Sequence, residues 1–429
     1  MALTKTDQKK SRILSIALSL ILLLAGLGLS TSSSDFQFWY RSTWQILGLE
    51  WSFILFYFIA TQRLFPLAHE LSHHYRRPLL FVGLWLLVVL VSYLSSTHYS
   101  HGNLLAVMRL CETFTHLVCF VVLWDFFSRF SPNYHLICFG LVVSALLIAV
   151  LLGIGLLNGD QGVGVWNLPI PHWGMLHVND NIRRLGYLFE TAIVVSLCFL
   201  TRKGWRFVTG ILIAILAFFL LWLGGRASIL GVIAGTGFYM VLRTENRKKS
   251  LKFLAWILLM LFLIWIVFHI RIPGLEKIGT TIVERTMEAP TLDQMSTGRL
   301  SLWSLILEEW GRSPWVGTGP QSCFFYPGRE EKIIHAHNFV LQFLGEWGIL
   351  GASLFLLLLA GVLRRGWSHY RDDFSPTRPV RLTALSLILA LSATGLFGGT
   401  YFFAQTSLYL LIAYALWAST PSPDAGAPQ

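Results

Sequence analysis

The stretch EKIIHAHNFVLQFLGEWGILG, residues 331–351, passes from charged to apolar within a few residues. Two histidines, His335 and His337, stand at the change, and the apolar run continues well beyond residue 351. A run of about 20 apolar residues is long enough to cross the hydrocarbon layer of a bilayer. The stretch therefore predicts a point where the chain enters a membrane, with both histidines at the membrane edge.

Similar apolar runs recur along the whole chain. Of its 429 residues 55% are hydrophobic and 13% are charged, whereas soluble proteins have roughly 25% charged residues. This composition favours one membrane domain over several globular ones. We predict an all-α polytopic integral membrane protein with about twelve transmembrane helices, near residues 13–30, 44–62, 78–97, 104–127, 135–157, 185–201, 207–224, 227–242, 253–270, 338–363, 382–398 and 402–418.

The distribution of basic residues predicts the orientation of the chain. The net charge of +11 could suggest a nucleic-acid partner, but 21 of the 33 lysines and arginines lie in the amino-terminal tail and in five short loops on one side. The positive-inside rule places that side in the cytoplasm, with both termini, so we predict membrane lipids and no nucleic acid as partners. The first span is predicted to be a retained signal anchor. The predicted divisions are a cytoplasmic tail, nine helices, an external loop, three helices and a second cytoplasmic tail, at 1–12, 13–270, 271–336, 337–418 and 419–429.

The external loop is long enough to carry function. It contains a predicted helix in STGRLSLWSLILEEW, with Ser296 or Thr297 as its cap, and a turn-rich segment GRSPWVGTGPQS. In the following apolar run, the spacing of Gly345, Gly348 and Gly351 predicts close helix packing. The partner of Glu346, in the same run, is left open.

Several arginines lie on the external side, against the positive-inside bias. Arg183 and Arg184 open the sixth predicted span, Arg226 lies between the seventh and eighth, and Arg299 lies in the loop. Guanidinium groups stay charged and match two phosphate oxygens at once, so these residues are candidates for binding a phosphate group. Three further external arginines are interpreted as ordinary interfacial residues: Arg285, Arg312 and Arg329.

Arg109 is different because it lies inside the fourth predicted span. Glu112 and His116 share its helical face. A charge at this depth implies a partner, and we predict an internal pair between Arg109 and Glu112.

The two histidines suit acid–base chemistry better than metal binding. No nearby cysteine, aspartate or second histidine pair would complete a metal site around His335 and His337. An imidazole with a pKa of about 6.5 can accept a proton at neutral pH. The residues by themselves therefore indicate acid–base work by these histidines, and we predict no metal and no cofactor.

The segment from His337 and Asn338 to Gly348 and Gly351 resembles the signature of the O-antigen ligase family. The twelve spans, the long external loop, the R-x-x-G at Arg183 and the T-G-R before Trp303 agree with it. The resemblance covers residues from about 180 to 355.

This resemblance implies a GT-C-like, metal-independent, inverting glycosyltransferase in the bacterial inner membrane, with its active site on the periplasmic side. It implies transfer of a glycan from undecaprenyl diphosphate, the donor of O-antigen, to lipid A-core oligosaccharide. His337 would be the base and Arg183, Arg184, Arg226 and Arg299 would hold the diphosphate. Asn338 and His335 would support the site or contact substrate.

Two other functions stay open at this point. An O-antigen polymerase or a protein O-oligosaccharyltransferase would use the same donor with another acceptor. A transporter of an anionic lipid would be expected to show paired halves with interrupted helices, and no such symmetry is visible.

The partition of basic residues makes the topology testable. A cysteine at Glu330 should react with a membrane-impermeant maleimide in intact spheroplasts, and a cysteine at Lys248 should react only after lysis. The reverse pattern of labelling would contradict the orientation.

Overall fold

The computed structural model describes residues 4–28, 36–99, 103–157, 172–173, 176–177, 182–201, 204–223, 225–243, 291–296, 298–327, 334–371 and 377–419. Within these ranges the chain is almost entirely helical, which confirms the all-α prediction. The helices are α1 (Lys5–Leu27), α2 (Phe36–Thr61), α3 (Leu64–His74), α4 (Arg76–Ser95), α5 (Leu104–Arg129), α6 (Tyr134–Leu157), α7 (Ile182–Ser196), α8 (Trp205–Leu223), α9 (Arg226–Leu242), α10 (Leu292–Met295), α11 (Arg299–Arg312), α12 (Phe339–Arg371), α13 (Arg378–Gly395) and α14 (Ala404–Ala418).

Shorter elements connect some of these helices. Two-residue strands β1 (His172–Trp173) and β2 (Leu176–His177) pair antiparallel, and 3-10 helices cover Leu197–Thr201 and Ser322–Phe325.

Six of the described helices are long and apolar enough to cross a membrane. They confirm a polytopic membrane protein, while the total of twelve spans stays a prediction. Eleven of the predicted spans overlap described helices. The ninth, at 253–270, lies outside the described residues, as do most of the predicted cytoplasmic loop before it, Arg285, Thr297, Arg329 and residues 420–429.

Helix α3 was not predicted from the sequence. The segment between Arg63 and Arg77 is one of the five short loops predicted between the spans. Pro66 stands in the first turn of the helix, where its missing N–H costs nothing. The Arg63 guanidinium ties α3 to α5 through Glu70 at 3.2 Å and Asp125 at 3.0 Å.

The predicted ion pair inside α5 is confirmed. Arg109 Nη1 lies 2.7 Å from Glu112 Oε2 and donates a second hydrogen bond to the carbonyl of Phe402 at 3.0 Å. His116 continues this network to Glu50 of α2, at 2.9 Å. The buried charges are therefore compensated within the bundle.

Helix α12 is interrupted at Gly348, where φ is +62° and ψ is −172°. Only glycine adopts this region of the backbone map readily. The interruption leaves carbonyls before it and amides after it without partners inside the helix, which is costly at membrane depth.

A loop from the external segment supplies those partners. Thr318 N and Gly319 N donate to the carbonyls of Gly345 and Glu346, at 2.8 and 3.0 Å. Beyond the break, Ile349 N and Leu350 N donate to the carbonyls of Pro314 and Trp315, at 2.9 and 3.1 Å. These four backbone hydrogen bonds fasten the loop to the interrupted helix.

The close helix packing predicted from the glycine spacing is confirmed at two of the three glycines. Gly351 packs closely against Val88 of α4, and Gly345 faces Ile306 of α11 and Tyr326. Gly348 instead faces the backbone of Trp315 and Gly317 at the helix break, which a periodic pattern does not reveal.

The helices behind the loop form one large apolar core. It joins residues of α1, α2, α5 to α9, α13 and α14, with Tyr57, Phe126, Phe189 and Trp417 among its largest buried side chains. Helix α7 packs against α8, α9 and α13, so its first residues are held beside the loop between α13 and α14.

Replacing Gly348 by alanine should lower the free energy of unfolding by roughly 3 kcal/mol or more, from backbone strain and overpacking together. A Cβ there would lie 2.4 Å from the Trp315 carbonyl group. Gly361→Ala, on the same helix with open space around its Cβ, is the matched control and should be neutral or stabilising. Thermal unfolding in detergent measures both, and equal midpoints would contradict the role of the break.

Candidate functional site

The segment from Ile334 to Asn338 lies where the external loop meets α12, and it is held on both sides by hydrogen bonds. Gln321 Nε2 donates to the carbonyl of Ile334 at 2.7 Å. The amide of Ala336 donates to Gln342 Oε1 at 2.6 Å, and its carbonyl accepts from Trp303 Nε1 at 2.9 Å. Three separate parts of the fold thus define the position of the two histidines.

His337 has a backbone φ of +54°, which is uncommon for a residue other than glycine. Its amide donates to His335 Nδ1 at 3.1 Å, and this bond supports the turn. Asn338 follows, and its Oδ1 accepts from the amides of Val340 and Leu341 at 3.0 and 3.1 Å. Asn338 therefore caps α12. Strain of this kind is often found at functional positions.

His335 is buried, whereas His337 is half-buried. The His335 ring stacks on Phe402 and meets the edge of Phe403, with centroids 4.9 and 5.1 Å away. Because its Nδ1 accepts a hydrogen bond, His335 carries its proton on Nε2. His335 thus serves as a support behind His337.

The two consecutive arginines of α7 point to different places. Arg183 Nη1 lies 3.2 Å from His337 Nε2, whereas Arg184 Nη1 donates to Ser42 Oγ of α2 at 3.1 Å and its guanidinium lies over the Phe403 ring. Arginine can only donate, so Nε2 of His337 is the acceptor and its Nδ1 carries the proton. Nδ1 has no hydrogen-bond partner among the described residues.

Arg299 and Arg226 complete the group of positive charges. Arg299 opens α11, whose N-cap is Gly298 and not the predicted Ser296, although Ser296 Oγ accepts hydrogen bonds from the amides of Arg299 and Leu300. Burial and the nearby charges of Arg183 and Arg226 lower the pKa of Arg299 to about 10, so it stays protonated at neutral pH. Arg226 is exposed at the first residue of α9.

The positive charges act on both histidines. Burial, His335, Arg183 and Arg299 lower the pKa of His337 well below its ordinary value of 6.5. Burial and the same arginines, with Arg184 and Arg109, lower the pKa of His335 in the same direction. Both rings are therefore neutral at pH 7, and neutral imidazole is the form that accepts a proton.

A small cleft lies beside His337. Its walls combine aromatic rings with a few polar groups, which is the usual make-up of a small-molecule site. They include Asn338, Phe339, Gln342, Tyr401 and Phe402. In the described part of the chain, no three or more His, Cys, Asp or Glu side chains are grouped as a metal site would need, and independence from metal stays a prediction.

Residues 210–356 match the family model described as Wzy_C, O-Antigen ligase. This part of the chain, about a third of its length, is thus similar to O-antigen ligases. The match confirms the predicted resemblance and includes Arg226, Arg299, His335 and His337. Arg183 and Arg184 lie before the matched range, although Arg183 contacts His337. No curated protein matches the chain.

Several parts of this site were not predicted from the sequence. Gln321 and Gln342, which hold the histidine segment, are ordinary polar residues in the sequence, and nothing local marks them. Phe402 and Phe403 lie at the start of the twelfth predicted span, and nothing local distinguishes them from its other apolar residues. Trp303 was noted only as a neighbour of the T-G-R triplet.

Proposed function

We propose that the protein is an O-antigen ligase that transfers a preassembled glycan from undecaprenyl diphosphate to a sugar hydroxyl of lipid A-core oligosaccharide, on the periplasmic side of the inner membrane. The single observation that carries this proposal is a neutral, strained histidine, His337, in contact with Arg183 and within the field of Arg299. The similarity to O-antigen ligases supports the reaction class.

Arg183, Arg226 and Arg299 would hold the diphosphate. They come from α7, α9 and α11, so three separate helices direct positive charge to one place. The developing charge on a leaving diphosphate is what such preorganised groups stabilise best. Arg184 would add positive charge from behind His335, because it faces Ser42 and Phe403.

His337 would act as the general base. In the structure Arg183 occupies the lone pair of Nε2. A diphosphate would draw Arg183 towards itself and leave Nε2 free to accept the proton of the acceptor hydroxyl. The hydroxyl oxygen would then form a bond to the anomeric carbon while the bond to the diphosphate oxygen breaks, with inversion, and polyprenyl diphosphate leaves with the electron pair.

The acceptor sugar would approach His337 over the residues that line this small cleft. Asn338 offers a polar group there, and Phe339 and Tyr401 offer aromatic rings, which stack on each other with centroids 4.5 Å apart. These residues would orient the attacking hydroxyl towards the base.

The purified protein should transfer glycan from a polyprenyl-diphosphate donor to lipid A-core without nucleotide or added metal. His337→Ala should lower turnover by about 100-fold to 10,000-fold, since a positioned base contributes that much, and should leave donor affinity nearly unchanged. His335→Ala should be milder, because His335 touches His337 only from behind. Extension of the glycan on its own lipid carrier, or transfer to protein, would favour the polymerase or the protein glycosyltransferase instead. Unchanged turnover in His337→Ala would remove it as the base.

The low pKa of His337 predicts a pH profile. A group whose pKa lies below 6.5 is neutral above that pH, so kcat/KM should be level from pH 8 to 6.5 and fall only below it. Arg299→Gln removes a positive charge, which makes protonation of His337 easier and should move the fall to higher pH.

The matched control for this profile is Arg312→Gln, which removes an arginine at the far end of α11, where it pairs with Glu308 and Glu309. In Arg312→Gln, kcat/KM should fall at the same pH as in the wild type. A fall above pH 6.5 in the wild type, or equal profiles for the two variants, would contradict the electrostatic explanation.

A further inference from the structure

Glu346 is a fully buried carboxylate on α12, two residues before the helix break. Its Oε1 accepts hydrogen bonds from the backbone amide of Gln321, at 3.0 Å, and from the side-chain Nε2 of Gln342. Its Oε2 has no partner among the described residues. The proposed reaction does not use this group directly, and it lies below the histidine segment.

A carboxylate can only accept hydrogen bonds, and this decides how Gln342 is oriented. Gln342 must present its NH2 group to Glu346, so its carbonyl oxygen faces the other way. That oxygen accepts the hydrogen bond of the Ala336 amide at 2.6 Å. An unconstrained glutamine could present either end to Ala336, and the wrong end would set two N–H donors against each other.

Gln321 forms the second connection. Its backbone amide is held by Glu346, and its side-chain Nε2 donates to the carbonyl of Ile334 at 2.7 Å. Ile334 and Ala336 flank His335, and His337 follows directly. One carboxylate thus orients two glutamines, and these bind the backbone on both sides of His335.

We propose that Glu346 is a positioning residue for His337, acting through Gln342 and Gln321. Its negative charge strengthens both hydrogen bonds and selects the single amide orientation that holds Ala336 and the strained backbone of His337. This inference rests on the proposed function, because it assumes that the position of His337 matters for transfer.

Exchanging the side chains of Glu346 and Gln342 tests whether the direction of the hydrogen bonds between Glu346, Gln342 and Ala336 matters. Gln342→Glu places two carboxylates against each other, so the connection should break. In the double variant Glu346→Gln/Gln342→Glu, the new carboxylate accepts from Ala336 and from the NH2 of the new glutamine, so the connection should re-form. Glu346→Gln alone removes the charge and lets the amide at 346 present either end to Gln342, so it should raise exchange and lower turnover less than Gln342→Glu does.

Two measurements should be made on each full-length variant in detergent. Hydrogen exchange by mass spectrometry reports the amides of residues 334–338 without any substrate. Turnover with a polyprenyl-diphosphate glycan and lipid A-core reports the reaction, with donor affinity measured separately. We expect Gln342→Glu to raise exchange in this segment and lower turnover by up to about 100-fold, as a misplacement of about 1 Å can do, with donor affinity unchanged.

The double variant should recover both exchange protection and most of the turnover, which a merely structural role would not predict. Gln342→Met, which is similar in size and adds no charge, should raise exchange at Ala336 even if Gln342→Glu fails to fold. Gln405→Glu is the control, because it places a carboxylate at another buried glutamine. Gln405 lies on α14 and donates hydrogen bonds to the carbonyl of Ala25 on α1 and to the Tyr409 hydroxyl. This variant should leave hydrogen exchange at residues 334–338 unchanged.

The outcomes separate this inference from the proposed function. Unchanged exchange in Gln342→Glu and Gln342→Met, or a double variant no better than Gln342→Glu, overturns the positioning role and leaves the base assignment standing. Altered exchange with constant turnover in every variant shows that His337 is not the base, and it overturns the inference together with the proposed function.

Discussion

The hydrogen-bonding demand of the backbone inside a membrane is the constraint on which the site depends. At Gly348 the regular backbone hydrogen bonding of helix α12 is interrupted, and four backbone hydrogen bonds with residues 314–319 replace the missing intrahelical ones. Ser92 of α4 and Ser96 directly after it add side-chain hydrogen bonds to the carbonyls of Glu346 and Thr318. The segment at residues 314–319 is therefore part of the helical bundle at this point and not a separate layer above it.

This attachment determines where the functional groups lie. Because the loop is fixed at the break, α11 packs against the first turns of α12, and Ile306 comes within contact of Gly345. Trp303 and Gln321 then reach the backbone on either side of His335. Although Gly348 lies more than 10 residues from His337, a substitution there would change the position of the two histidines through these contacts.

The electrostatics of the site follow from burial and from the arginines together. Either effect alone favours neutral imidazole, and here both act on His335 and His337. The same positive charges suit a diphosphate, so in the proposed reaction one arrangement would provide a base in its reactive form and a binding place for the leaving group. The arginines come from helices that are distant in sequence, and this makes the arrangement a property of the folded bundle.

The sequence by itself determined the membrane class, the positions of eleven described helical segments, the Arg109–Glu112 pair and the resemblance to O-antigen ligases, because hydrophobic run length and spacings of three or four residues are local properties. It also placed His337 next to Asn338 at the start of a helix. Tertiary structure alone decided that Arg183 and not Arg184 meets His337, since the rotation of α7 is set by its packing against α8, α9 and α13. It decided the break at Gly348 and the contact between Glu346 and Gln321 for the same physical reason: the hydrogen-bond partners there lie about 25 to 35 residues apart along the chain, and only folding brings them together.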